Sequence, residues 1–230
     1  IFTMTINLNN AAKYYKEEPH QVSAWNYLES KLSDELLDEF ADLYRAGPAN
    51  PTTNIITPEI MHQLTGYAAK EFDATFCNDF NKLLAVTGFD KHLDATAMLT
   101  ANCMHETANF VYMKEIASGE AYNNRSDLGN GPNDGPKYKG AGVLQLTGKY
   151  NYTRAAERLS DPKIVERGVD YTSEQYPFRS ALCWIEDNDL LNICLTKGFD
   201  ACCYRINGGW NGYDDRAAKY KIAKKVFGVK

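Results

Sequence analysis

Apolar side chains in this chain return every third or fourth position and almost nowhere alternate. Leu36, Leu37, Phe40, Leu43 and Tyr44 form one such stripe, and Phe72, Phe76, Phe80, Leu83 and Leu84 a second. Leu93, Ala97, Thr100, Ala101 and Met104 form a third. A period near 3.6 buries one face of a helix, whereas a period of about two buries one face of a strand. The chain therefore reads as mainly α. Punctuation agrees with this. Thr57 before Pro58 reads as a helix cap and first helical residue. Ser33 caps "DELLDEFADLYR", with acids in its first turn, and Gly88 closes the second stripe.

The stretch "AGPANPTTN" breaks the periodicity with Gly47, Pro48 and Pro51 and marks a boundary. Residues 1–50 then form a small helical unit, which either binds a cell wall or packs on its neighbour, and residues 51–230 form the main domain. A helix is expected from about His92 to Thr107. Residues 118–142 are rich in Gly, Asn and Asp and read as loop, with at most a short hairpin over residues 138–147. Helices resume with "KYNYTRAAERLS" and "YPFRSALCWIEDNDLLNICL", and the loop "RINGGWNGYDDR" leads to a terminal helix.

Composition narrows the function. Net charge is −5 and no block of Lys or Arg exceeds a few residues, so nucleic-acid binding is not expected. Apolar runs stop well short of a membrane span. The first residues lack the charged-then-apolar pattern of a secretory signal, so synthesis in a cytoplasm and no membrane insertion are expected. The six cysteines show no CxxC pair and no metal-ligand spacing, and reduced thiols are expected. Trp25 and Trp184 lie on apolar stripes and read as core. Trp210 lies in a Gly/Asn loop and reads either as a structural ring or as one that stacks on a sugar.

"HETANFVYMKE" holds the candidate chemistry: Glu106, preceded by His105, and Glu115 nine residues later. On a continuous helix those carboxylates would point to opposite faces, roughly 13.5 Å apart along the axis. "ANFVYM" must leave the helix if the two are to act together. Two separated carboxylates suit glycoside hydrolysis, where inverting enzymes hold them about 6.5–9.5 Å apart with a water between. Glu106 follows "MLTANCM", whose burial would favour its protonated form. Glu115 stands beside Lys114 and polar loop, which suits an ionised base. On spacing alone, Glu106 could equally end a helix and Glu115 be a solvated charge.

The rest of the constellation decides it. "HET", "DGPKYKGAGVLQLTGKYNY" and "INGGWNG", in that order, resemble the family 19 glycoside hydrolases, meaning chitinases and their phage and bacterial endolysin relatives, over about residues 57–227. The resemblance implies a lysozyme-like, bilobal α-helical domain with a cleft. By position it implies Glu106 as general acid and Glu115 as general base, with Thr147 holding the attacking water. Glu120 and Asp134 are competing acids. Gln145 and Asn151 match sugar-contacting or water-orienting positions, Asn207 a substrate-binding asparagine, Tyr138 a cleft aromatic and Arg216 a cleft arginine that tunes the acids. His105 is expected to support the cleft wall, and Trp210 joins the substrate-binding set. Ala141 stands where the family often has Arg. No metal or organic cofactor is implied, and a monomer is expected.

Chitin and peptidoglycan share β-1,4-linked N-acetylated sugars. Short loops, and a weaker resemblance of "NNAAKYYKEEPHQVSAWNYLESKL" to phage lysis proteins, point to peptidoglycan. The expected protein is an endolysin that reaches the wall once the membrane is permeabilised. A chitinase and an inactive carbohydrate-binding protein are the alternatives.

Overall fold

The computed structural model describes residues 54–230. The helical unit expected over residues 1–50, with its capping Ser33 and Trp25, lies outside the described residues.

Helix α1 (Pro58–Thr65) opens on Thr57, whose hydroxyl oxygen accepts from the Ile60 amide at 3.2 Å. Pro58 is tolerated there because its missing N–H would have no helical partner. Gly66 closes α1 in the left-handed conformation, its amide donating to the His62 carbonyl. Helix α2 (Ala74–Thr87) starts later than the stripe implies, because Asp73 accepts from the Phe76 amide at 2.7 Å and caps it. Residues Ala69–Glu71 form a separate 3-10 turn. Gly88 ends α2 as expected. Helix α3 (Leu93–Glu106) has every residue from Ala95 to Met104 buried. A helix buried all round is a central one, and α3 packs chiefly against the last two helices of the chain.

Beyond the loop lie α4 (Lys149–Leu159), α5 (Lys163–Arg167), α6 (Val169–Gln175), α7 (Leu182–Asp187), α8 (Leu190–Asn207) and α9 (Tyr213–Val226). The run 176–195 is not one helix. A 3-10 turn, Arg179–Ala181, leads into α7, and Asp189, at φ +49°, separates α7 from α8. Within α8, Gly198 (φ 76°, ψ −166°) makes a kink. Because α8 runs to Asn207, the loop before α9 is shorter than expected, residues 208–212.

Two apolar clusters hold these elements. The larger joins α1, α2, α3, α7 and α8 around Phe80, Phe110 and Phe178. Phe80 and Phe178 stack at 4.0 Å between centroids, 4° from parallel. Buried Asp79 fixes this junction: it accepts from the Phe178 and Arg179 amides and from Arg179 Nε. The smaller cluster gathers Tyr138, Ala141, Tyr152, Ala155, Ala156, Ile164 and Val169. Between them, β-structure among the described residues amounts to two antiparallel bridges, Lys114 with Ala141 and Ala141 with Leu146. The second falls within residues 138–147, where a short hairpin was expected, while the first ties that stretch to Lys114, outside it; the fold is mainly α. No helix among the described residues is long and apolar enough to cross a membrane. Cys77, Cys103, Cys183, Cys194, Cys202 and Cys203 are all free thiols.

Candidate active site

Glu106 is the last residue of α3, and its side chain is 28% exposed. Its partner is Arg216 of α9, whose guanidinium is 1% exposed. A cation buried that deeply needs a counter-charge and acceptors for its N–H groups. Nη2 donates to Glu106 Oε1 at 2.5 Å and Nη1 to Asn102 Oδ1 at 2.8 Å, while Nε reaches the Asn211 carbonyl at 3.4 Å. Asn102 lies one turn before Glu106 on the same face of α3, so a single guanidinium clamps both. Apolar core lies behind Glu106, and a buried cation lies against its carboxylate. Burial leaves Arg216 no exposed surface to offer a substrate, and its guanidinium is held against Glu106 instead. His105 is engaged as well. Its Nδ1 lies 2.6 Å from Asp215 Oδ2, and Lys219 donates to both Asp215 oxygens. The imidazole occupies the space that a side chain at Gly212 would need.

After Glu106 the chain leaves the helical path, as a functional pair requires. Ala108, Asn109 and Phe110 are successive left-handed residues, at φ 49°, 61° and 69°, and none is glycine. Each such residue is disfavoured by roughly 1–2 kcal/mol, so the surroundings must over-determine the turn. The buried Thr107 hydroxyl donates to the Cys103 carbonyl and accepts from the Phe110 amide. The Asn109 amide returns to Met104, and the Val111 and Tyr112 amides to Thr107. Phe110 is then clamped among Phe76, Phe80 and Phe178.

The turn delivers Glu115 to the bridged segment, where its amide donates to the Gly140 carbonyl at 2.9 Å. In return the Gly140 amide donates to Glu115 Oε2 at 2.8 Å, and the Tyr122 hydroxyl donates to Oε1 at 3.0 Å. Each carboxylate oxygen therefore has a fixed donor. Burial, and then the bond to Glu115, raises the Tyr122 hydroxyl above its ordinary pKa, which keeps it a donor. The loop holding Tyr122 is pinned by asparagines: Asn123 accepts from the Gly135 amide, and Asn130 links the Tyr122 carbonyl to the Lys149 amide. A Cβ at Gly140 would meet the Gln145 amide oxygen and press on Glu115. Of the competing acids, Asp134 accepts from the Gly131 amide and Lys149, and Glu120 is exposed.

Gln145 neighbours Glu115 at Gly140. Gln145 sits at φ +53° and donates to the Gly142 carbonyl. The Thr147 hydroxyl donates to the Gln145 carbonyl at 2.8 Å, and Asn151 donates to the Thr147 carbonyl at 2.8 Å. Asn207 ends α8 with a buried Nδ2 that has no hydrogen-bond partner. Trp210 is 57% exposed. Tyr138 is a correction. Its ring is 2% exposed and packs on Tyr152, with its hydroxyl donating to the Val165 carbonyl, so it is core, not a cleft aromatic. Sequence reasoning missed Asn102, Tyr122 and Asp215. The spacings Asn102–Glu106 and Asp215–Lys219, each four residues, were the available signal for two of them.

The helical fold is that of a chitinase. Chitinase C from Streptomyces griseus HUT6037 superposes with a TM-score of 0.57 over 80% of this chain and 97% of that one, at 19% identity. An endochitinase of Arabidopsis thaliana is 30% identical over 171 residues, 71% of this chain. A glycosyl hydrolase family 19 domain-containing protein of Haemophilus influenzae is 27% identical over 162 residues, 54% of this chain. The chain belongs to glycoside hydrolase family 19. It spans 59% of the length of the plant relative and 76% of the bacterial one. No protein-family model matches it.

Proposed function

We propose that the chain hydrolyses β-1,4 bonds between N-acetylated sugars by single displacement with inversion. Glu106 gives its proton to the glycosidic oxygen, and Glu115 takes a proton from the attacking water. Thr147 spends its own proton on the Gln145 carbonyl, which leaves its oxygen free to accept from that water. A water giving one proton to Thr147 and one to Glu115 has a lone pair left for the anomeric carbon. Asn151 and Gln145 hold the loop that carries Thr147, Asn207 contacts the sugar, and Arg216 positions the acid. The observation that carries this reading is the pair of part-buried carboxylates, each pinned by donors from separate elements, on either side of a strained left-handed turn.

Two glycans fit. The likeness of the N-terminal segment to phage lysis proteins and the short loops favour peptidoglycan, and hence an endolysin that lyses its host. The names of the relatives, chitinases among them, favour chitin. Turbidity loss of purified peptidoglycan, measured against sugar release from colloidal chitin, separates the two. Mass analysis of released muropeptides then identifies the bond cut, and a peptidase or amidase product would overturn the glycosidase reading. Silence in both assays would favour an inactive carbohydrate-binding protein. Glu106→Gln is expected to lower activity by at least about 100-fold with the fold intact.

A further inference from the structure

The end of α8 and the loop that follows it carry an aromatic surface that the two carboxylates do not use. Trp210 and Tyr204 are 57% and 52% exposed, and their rings meet at 5.6 Å with a 60° tilt. Rings this open are ordinarily mobile, but these have a base. Trp210 leans edge-on against Tyr213 at 5.4 Å, and Tyr213 lies 6.0 Å from Phe199, which stacks on Tyr220 at 4.3 Å. Two hydrogen bonds of 2.6 Å fix that base, Tyr213 to Asp200 and Tyr220 to Asp94. The backbone is held as well: the Gly208 amide closes α8 on the Tyr204 carbonyl, and the Tyr213 amide donates to the Trp210 carbonyl. The result is an angled pair of flat apolar faces with polar rims, held open to solvent.

We infer that Trp210 and Tyr204 form an accessory glycan subsite, stacking on a pyranose ring of a β-1,4-linked N-acetylated glycan beyond the acid side of the reacting bond. A sugar ring offers one face of C–H groups and a rim of polar groups, which matches an aromatic face with a polar edge. Three links tie this stretch of chain to Glu106 and its surroundings. Asn211, next to Trp210, gives its carbonyl to Arg216, which holds Glu106. Gly212 packs on His105, the neighbour of Glu106. On the other flank, Asn207 keeps an unpartnered Nδ2 beside Gly209. The inference rests on the proposed glycosidase function and adds a residue, Tyr204, and a dependence on chain length.

The test uses the full chain with N-acetylglucosamine oligomers of increasing length, and with peptide-free peptidoglycan strands as a second arm. In Trp210→Ala, KM for the longer chains is expected to rise about tenfold, the equivalent of roughly 1.4 kcal/mol. The loss falls on KM rather than kcat, is smaller in Tyr204→Ala, vanishes for the shortest substrates and is largely recovered in Trp210→Tyr. Circular dichroism and the thermal midpoint check folding. An effect confined to one arm identifies the glycan source. Parental KM at every length in both arms overturns the subsite while leaving the glycosidase reading intact. If the parent cleaves neither glycan, that reading fails, and the subsite is decided by binding: a change in tryptophan emission when Glu106→Gln is titrated with the same glycans, lost on adding Trp210→Phe, supports it. No change in emission overturns it.

Discussion

Arg216 is the largest fully buried side chain among the described residues, and its guanidinium ends 2.5 Å from Glu106. The acid and its clamp are therefore coupled in stability as well as in position. Glu106→Gln leaves an oxygen for Arg216 to donate to, whereas Glu106→Ala leaves a buried cation with only Asn102 and the Asn211 carbonyl. The alanine variant should lose about 3 kcal/mol and the glutamine variant about 1 kcal/mol, measured by urea unfolding. Equal losses would show that the guanidinium does not depend on this partner.

Gly140 donates to Glu115 and leaves no room for a Cβ. Gly140→Ala should push the Gln145 side chain aside and shift Glu115 by a few tenths of an ångström. A shift of that order should lower kcat about tenfold. The unfolding midpoint should move little, because the displaced atom ends a flexible side chain. A parental kcat would detach the Glu115 position from the rate.

The left-handed turn stores strain that can be released. Ala108 is exposed at φ +49°, so Ala108→Gly removes a backbone clash without touching the core. Net of the extra chain entropy of glycine, stability should rise by about 0.5–1 kcal/mol. Ala108→Val should lower it. The urea midpoints of the two variants should lie on opposite sides of the parent.

Asp215 is held below its usual value of 3.8, first by the Lys219 hydrogen bond and then by His105. A depressed carboxyl stabilises the fold above its unfolded value, and that contribution fades as pH falls from 3.8 through the lower folded value. Asp215 is half exposed, so screening limits its share to about 0.5 kcal/mol. Asp134 and Asp187 are lowered too, by the Gly131 amide and by Arg154 respectively. Asp215→Asn should therefore flatten the acid limb of stability only in part. An unchanged acid limb would contradict the pairing.

Local signals carried far in this chain. Thr57, Pro58 and Gly88 act through local caps and backbone conformations, and the helix ends they set were legible for that reason. Glu106 was placed at the end of its helix, and an exit through residues 108–113 was required by the geometry of nine residues if the two carboxylates act together. What was hidden depends on distant partners. The turn is held by Phe76, Phe80 and Phe178, none of them close to it in sequence. Asp73 captured the start of α2 from within an apparent stripe, and Asp189 broke a periodic run by adopting a left-handed conformation. Tyr138 was assigned to the cleft by its place in the family's motif, yet the helices from 149 onward close over its ring. Arg216 lies in a helix of low apolar character, and only the fold shows that its charge is spent on Asn102 and Glu106.

The central claim is that Glu106 and Glu115 act on opposite faces of one sugar with a water between them. Proton NMR of freshly cleaved N-acetylglucosamine oligomers or peptidoglycan strands tests it directly, because the anomer formed first records the side of attack. A β-linked substrate should yield the α anomer before mutarotation sets in. A β anomer as the first product would mean retention, and would remove Glu115 from its role as the base that activates water.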